Sequence, residues 1–177
     1  MRDQKGKDGT RVDFLKQAGV PVPKRAEDTL NKEKAKTNAL ALIDDFMRKV
    51  GIDNPKGSID AEGRRHFTAG SADGRAGIVE IDGELFLRVE ALIMGLPSDK
   101  ELILPLMRNL LEINIGLPGV ARLGLANDSV LTCVMLNLRE LSQPMFYNAI
   151  HSTMMLADSL DEELKAKYSG TILKRKS

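Results

Sequence analysis

The chain has 177 residues, of which 42% are apolar, with two Tyr, one Cys and no Trp. That describes one domain of ordinary size around an aliphatic, methionine-rich core. A single thiol excludes an internal disulfide, and the lack of any 18-residue apolar run excludes a membrane-spanning helix. The net charge of +1 hides an uneven distribution: residues 1–36 hold ten basic and six acidic side chains, residues 76–163 five and thirteen, and residues 164–177 five and none. An acidic body between two basic ends argues against the body as a nucleic-acid surface, because such affinity rests on neutralising phosphates. Weak polyanion contact is left to the ends.

Residues 1–30 scatter Gly, Lys and Asp without period and include AGVPVPKR, so residues 1–35 read as a flexible or loosely packed extension. The opening MRDQKGKDGTRVDF carries charges of both signs and no apolar stretch, unlike a secretory signal. With the lone Cys, this leads us to expect a cytoplasmic protein. From Asn31 the pattern turns helical, with Leu40, Ile43, Met47 and Val50 as the stripe and Phe46 beside it. Asp44, Asp45, Arg48 and Lys49 take the other side, Asn31 or Thr37 caps the start, and Gly51 stops the helix. RRHFTAG, RAGIVEIDG and ELFLRVEALIM then read as three strands, with turns at Ala72-Asp73-Gly74 and Asp82-Gly83. Ser98 and Glu101 match a capping box. Pro105 conflicts with a helix running straight from Asp99, so a restart near Leu104 is expected, with Leu106, Leu110 and Ile113 on one face. VARLGLA and SVLTCVMLN are two more strands joined by Asn127-Asp128. A last helix opens at Ser142-Gln143-Pro144 and carries Phe146, Ile150, Thr153 or Met154, Ala157, Leu160 and Leu164 as its apolar stripe. The order αβββαββα is an α+β domain with an antiparallel sheet and helices on one face.

Residues capable of chemistry do not assemble into a motif. Cys133, His66 and His151 are too few and too scattered for a structural zinc site. Alternation places Cys133 with Leu131 and Met135, as a small packed residue rather than a nucleophile. His66 beside Arg64 and Arg65 reads as a solvated edge-strand residue, and His151 as a helix-surface or partly packed one. The glycine-bearing stretch GLPG at 116–119 runs from helix to strand, the reverse of a phosphate-cradling loop. Gly116 is therefore expected as a helix cap and Pro118-Gly119 as a turn.

Several strings resemble the type III secretion chaperone-like fold, which includes the Tir chaperone family and YbjN-type proteins. They are LALIDDFMRKVGI at 40–52, GLP at 95–97, LMRNLLEIN at 106–114, GLPGVARLGL at 116–125 and LSQPMF at 141–146. The resemblance covers roughly residues 36–168 and leaves residues 169–177 as a basic tail. It implies a compact domain that forms a homodimer through its central helix and wraps an extended client segment. Asn114, Gly119 and Gly124 match positions that mark this fold. Leu106, Met107, Leu110 and Ile113 become the candidate dimer or client-contact face. The function expected is non-enzymatic: a protein-binding or chaperone-like domain that reversibly buries an apolar segment of a client, with no catalytic residue, cofactor or metal and no membrane insertion. The alternative is a YbjN-type cytoplasmic regulatory protein with weak polyanion or nucleic-acid contact through its basic ends.

Overall fold

The computed structural model describes residues 25–69 and 72–168. The chain divides between Lys34 and Ala35 into two units, and the fold below is that of the second. The elements are α1 (Arg25–Lys49), β1 (Arg65–Ala69), β2 (Ala72–Ile81), β3 (Glu84–Gly95), α2 (Ile103–Gly116), β4 (Arg122–Ala126), β5 (Ser129–Asn137) and α3 (Gln143–Tyr168), with short 3₁₀ turns at Pro55–Ser58 and Lys100–Leu102. The order is the expected αβββαββα. All strands are antiparallel to their neighbours in one sheet of order β1-β2-β3-β5-β4.

Two hairpins follow from local chemistry. Asp82 and Gly83 have φ of 51° and 78°, and Asn127 and Asp128 have 48° and 59°. Paired left-handed residues make the two-residue turn whose twist matches the flanking strands, so Ile81 faces Glu84 and Ala126 faces Ser129. The first hairpin lies elsewhere than its composition indicated. Ala72, Asp73 and Gly74 belong to β2, where they pair with Ala69, Thr68 and Phe67. Gly74 is needed for packing rather than turning, because a Cβ there would stand 2.5 Å from the Phe67 ring and 2.8 Å from the Met154 sulfur.

α1 begins at Arg25, earlier than either expected cap. Its first turns are rich in Arg, Ala, Glu and Lys, which favour a helix without any apolar stripe to reveal it. Its stop is as expected: Gly51, at φ 88°, lets Ile52 N–H donate to Met47 O at 2.9 Å and its own N–H to Arg48 O at 3.1 Å, a left-handed cap. Val50 falls just past the helix and is exposed, not in the stripe. At the other junction Asp99, not Ser98, accepts the Glu101 N–H at 2.9 Å, and α2 starts at Ile103, placing Pro105 in its first turn. Gly116 is the last residue of α2, and the left-handed position is Gly119, at φ 78°.

The core lies between the sheet and α1 plus α3. Ala39, Ile43, Phe46 and Met47 from α1 and Phe146, Ile150, Met154 and Leu164 from α3 meet Leu87, Val89, Ala91, Val130 and Val134. A bulge after Leu92 leaves Ile93 without a partner, so Ile93 and Met94 both turn to this side. Thr132, fully buried, donates its hydroxyl to Thr153 O at 3.0 Å and ties β5 to α3.

Polar contacts fix β1. Asp44, whose place in the pattern is on the solvent side, pairs with the buried Arg65 and joins α1 to β1. Before the strand, Asp60 accepts from the Arg64 N–H at 2.9 Å, the Glu62 N–H at 3.0 Å, Arg64 Nε at 2.9 Å and His66 Nε2 at 2.8 Å. Burial alone would raise the Asp60 carboxyl, but the bonds from His66, Arg64 and Glu62 outweigh it and hold it well below the usual carboxylate range.

Asp44→Ala leaves a buried guanidinium unpaired and is expected to cost about 3–5 kcal/mol of unfolding free energy, measured by denaturant titration; a loss below about 1 kcal/mol contradicts the pairing. Asp60, with its lowered folded-state value, stabilises the protein above the unfolded carboxyl value of about 4 and loses that contribution as pH falls further. Asp60→Asn therefore lowers the melting midpoint at pH 7, and its gap to the parent narrows below about pH 4. A gap that stays constant into acid rules this out.

Candidate protein-binding surfaces

α2 is apolar on most of its circumference, so its placement decides what it shows. Leu106 and Leu110 are 0% and 4% exposed and pack into the core, with Ile113 half-buried beside them. Met107 is 41% exposed, and with it stand Leu104, Leu111 and Ile115 at 74%, 66% and 89%. Residues 104, 107, 111 and 115 follow the helical period and form one stripe. Of the four residues singled out on sequence, only Met107 thus lies on the outward stripe. The loop and strand that follow expose Val120 and Leu125 as well. On the flank, Arg108 Nε donates to Glu112 Oε1 at 2.8 Å, one turn apart.

The orientation of α2 is held by Asn114. Its Nδ2 donates to Leu123 O at 3.0 Å, and its Oδ1 accepts the Leu123 N–H at 2.8 Å. Among the described residues β4 has only β5 as a strand neighbour, so the amide occupies the outer edge of β4 where another strand would bond. The turn between them holds Gly119 in the left-handed region, where a Cβ would be strained. At Gly124 a Cβ would meet open space, and nothing in the structure requires glycine there.

The second apolar surface is a groove between α1 and α3, about 490 Å³ in volume, lined by Phe46, Val50, Tyr147, Ile150, Met154 and Met155, with His151 and Asp158 on its rim. The aromatic rings are locked edge-to-face: Phe46 lies 5.1 Å from Phe67 and 6.3 Å from Tyr147 between centroids. The polar end of Tyr147 is anchored too. Its hydroxyl donates to Asp45 Oδ2 at 3.0 Å and accepts from Lys49 Nζ at 2.7 Å. Bonds from Lys49 first and Tyr147 second hold the Asp45 carboxyl down. Met155, 54% exposed, gives the wall an adaptable side chain. Sequence reasoning placed Phe146, Ile150 and Met154 on the core stripe but did not find this groove, which needs α1 and α3 side by side.

The remaining singled-out residues take no catalytic arrangement. His66 bonds Asp60, and His151 is exposed on the rim of the groove. Cys133 is half-buried on the sheet face away from the helices, and burial pushes its thiol up against the opposing pull of Arg88. Among the described residues no group of three His, Cys, Asp or Glu side chains stands ready to hold a metal ion, and no helix is long and apolar enough to cross a membrane. Residues 1–24 and 169–177, and with them the expected extension, tail and polyanion contacts, lie outside the described residues.

No family model matches the chain, and no curated protein matches it in sequence. Solved structures do. A chain of the ExsC–ExsE complex is 14% identical, with 73% of this chain and 95% of that one covered and a TM-score of 0.51. A chain of the HopA1–SchA chaperone–effector complex is 16% identical over 70% and 92%, with a TM-score of 0.50. YbjN from E. coli is 19% identical over 66% and 92%, with a TM-score of 0.37. The first two likenesses show the fold alone: an α+β domain with the antiparallel sheet and element order of a chaperone-like architecture.

Proposed function

We propose that this protein is a non-enzymatic, chaperone-like binding module that acts as a homodimer and reversibly buries an apolar segment of a client polypeptide. The observation that carries the reading is the open apolar groove between α1 and α3, floored by anchored aromatic rings and walled by Met154 and Met155. A preformed groove of this kind receives the apolar face of a helix or extended segment without a large ordering cost. The lining includes Asp158, and residues 76–163 hold thirteen acidic against five basic side chains. The client segment is accordingly apolar on one side with basic flanks, and acidic segments are rejected. The fold it shares with one chain of a chaperone–effector complex fits this role.

The stripe Leu104, Met107, Leu111 and Ile115 is assigned to a second copy. Each such side chain left in water forgoes roughly 1.5–3 kcal/mol of burial. A two-fold contact buries the same stripe on both partners.

Light scattering of the purified chain is expected to give twice the 19.5 kDa chain mass. Leu111→Asp with Ile115→Asp is expected to give one chain mass with an unchanged circular-dichroism spectrum; a parent protein monomeric at about 100 μM removes the dimer. For the groove, the probe is a labelled amphipathic peptide with Leu on one face and Lys on the other, compared with a Glu-bearing counterpart. The basic peptide binds, the acidic one does not, and Met155→Lys weakens binding by about tenfold or more while the stripe variant leaves it intact. Equal binding of both peptides, or an unaffected Met155→Lys protein, contradicts the client reading.

A further inference from the structure

Two neighbouring methionines of α3 meet opposite surroundings. Met154 is buried, with its sulfur turned to Gly74 of β2, where an added Cβ would stand 2.8 Å away. Met155, the next residue, lines the α1–α3 groove and is 54% exposed, more than any other methionine among the described residues. Met47 and Met94 are buried like Met154, and Met107, Met135 and Met145 are exposed outside the groove lining.

These positions decide where an oxidant can act. A thiol reacts as its thiolate, and Cys133 is half-buried with its thiol pushed up by that burial. A thioether has no proton to lose, so access governs its oxidation. Peroxide reaches Met155 from the open groove without unfolding the chain, whereas Met154 is closed to it. The product, a sulfoxide, is a polar hydrogen-bond acceptor where the thioether was apolar. Phe46, Val50 and Ile150 share the groove with Met155, and the Tyr147 hydroxyl has its proton committed to Asp45. An apolar client segment brings no donor either. Covering the sulfoxide therefore strips water from an acceptor and returns no bond, which is unfavourable.

We propose that Met155 is a reversible oxidation site that switches client binding in the groove. Hydrogen peroxide is the oxidant: a sulfur lone pair attacks one peroxide oxygen, the O–O bond breaks, and the other oxygen leaves as water. Sulfur gives up two electrons and peroxide takes them. Sulfoxide reductases return the thioether by consuming a dithiol, which becomes a disulfide while the oxygen leaves as water. The fold survives both steps, since nothing in the core has to move to admit the oxygen. The proposal rests on the reading of the groove as the client site and adds its regulation.

The test treats the full chain with hydrogen peroxide, maps added oxygen by peptide mass spectrometry, and titrates the Leu–Lys probe peptide against treated and untreated protein. Met155 is expected among the oxidised residues, with an unchanged circular-dichroism spectrum. Probe binding is expected to weaken by about tenfold and to recover after treatment with the two sulfoxide reductases. Met135 and Met145 also take oxygen, so two variants assign the effect. Met155→Leu keeps an apolar wall and is expected to bind the probe alike before and after peroxide. Met155→Gln, polar and of similar length, is expected to bind about tenfold more weakly with no peroxide at all. Four results overturn the switch and leave the groove reading standing: Met155 unoxidised while Met135 is converted, binding that survives oxidation of Met155, Met155→Leu losing binding as steeply as the parent, or Met155→Gln binding as tightly as the parent. An untreated parent that does not bind the probe overturns the groove reading itself, and the switch with it.

Discussion

The two hydrogen bonds between the Asn114 amide and the Leu123 backbone set both the edge of the sheet and the roll of α2. β4 is an outer strand, and an unpaired strand edge invites association with any other extended chain. The amide presents one acceptor and one donor at the spacing of a peptide group, so it occupies that edge at its middle residue. In doing so it fixes the end of α2 against β4. Leu106 and Leu110 are thereby turned into the core and Leu104, Met107, Leu111 and Ile115 away from it. One side chain thus closes a route to association through strands and leaves one through a helix. The opposite edge is treated alike, by a bridge between Ile59 and Arg65 and by the Asp60 hydrogen bonds that order the chain before β1.

A sheet with both packed helices on one side must solve its other face with its own side chains. Alternation supplies Arg64, His66, Arg75, Arg88 and Glu90 there, and their length lets them lie across neighbouring strands. Glu90, on the middle strand of the five, is covered as a result. A buried carboxylate is costly unless it is paired and bonded, and Arg64, Arg75 and Arg88 gather around this one. The helix side obeys the opposite constraint. Gly74 on β2, between the small and buried Ala72 and Ala76, has no side chain where the Phe67 ring and the Met154 sulfur press closest.

Much of this fold is legible from local chemistry. Asp82-Gly83 and Asn127-Asp128 identify their turns because few residues accept paired left-handed conformations. The stripes of α1 and α3 identify their buried sides because polar residues fill the rest of each helix. α2 resists the same treatment: with apolar residues at 104, 106, 107, 110, 111, 113 and 115, periodicity cannot say which stripe is inside, and only the Asn114 clamp decides. The restart of the helix near Leu104 is legible from Pro105, but the partner of Asp44 and the capping of the preceding 3₁₀ turn by Asp99 rather than Ser98 are not, since pattern alone does not say which carboxylate meets which donor. The arginine cluster and the α1–α3 groove are further from reach. They assemble residues 64, 75, 88 and 90, or 46, 147 and 155, whose meeting depends on strand register and helix pairing.

The assignment of α2 to a two-fold seam is open to a direct geometric measurement. In an isologous contact a residue near the axis faces its own copy, so a cysteine there meets another cysteine. With Cys133 replaced by Ser, a Leu111→Cys chain and a Glu163→Cys chain, the latter exposed on α3, are oxidised side by side at low protein concentration. If α2 forms the seam, Leu111→Cys becomes a covalent dimer rapidly and nearly completely while Glu163→Cys stays a single chain. Equal, slow cross-linking at both positions would show that the stripe meets no second copy.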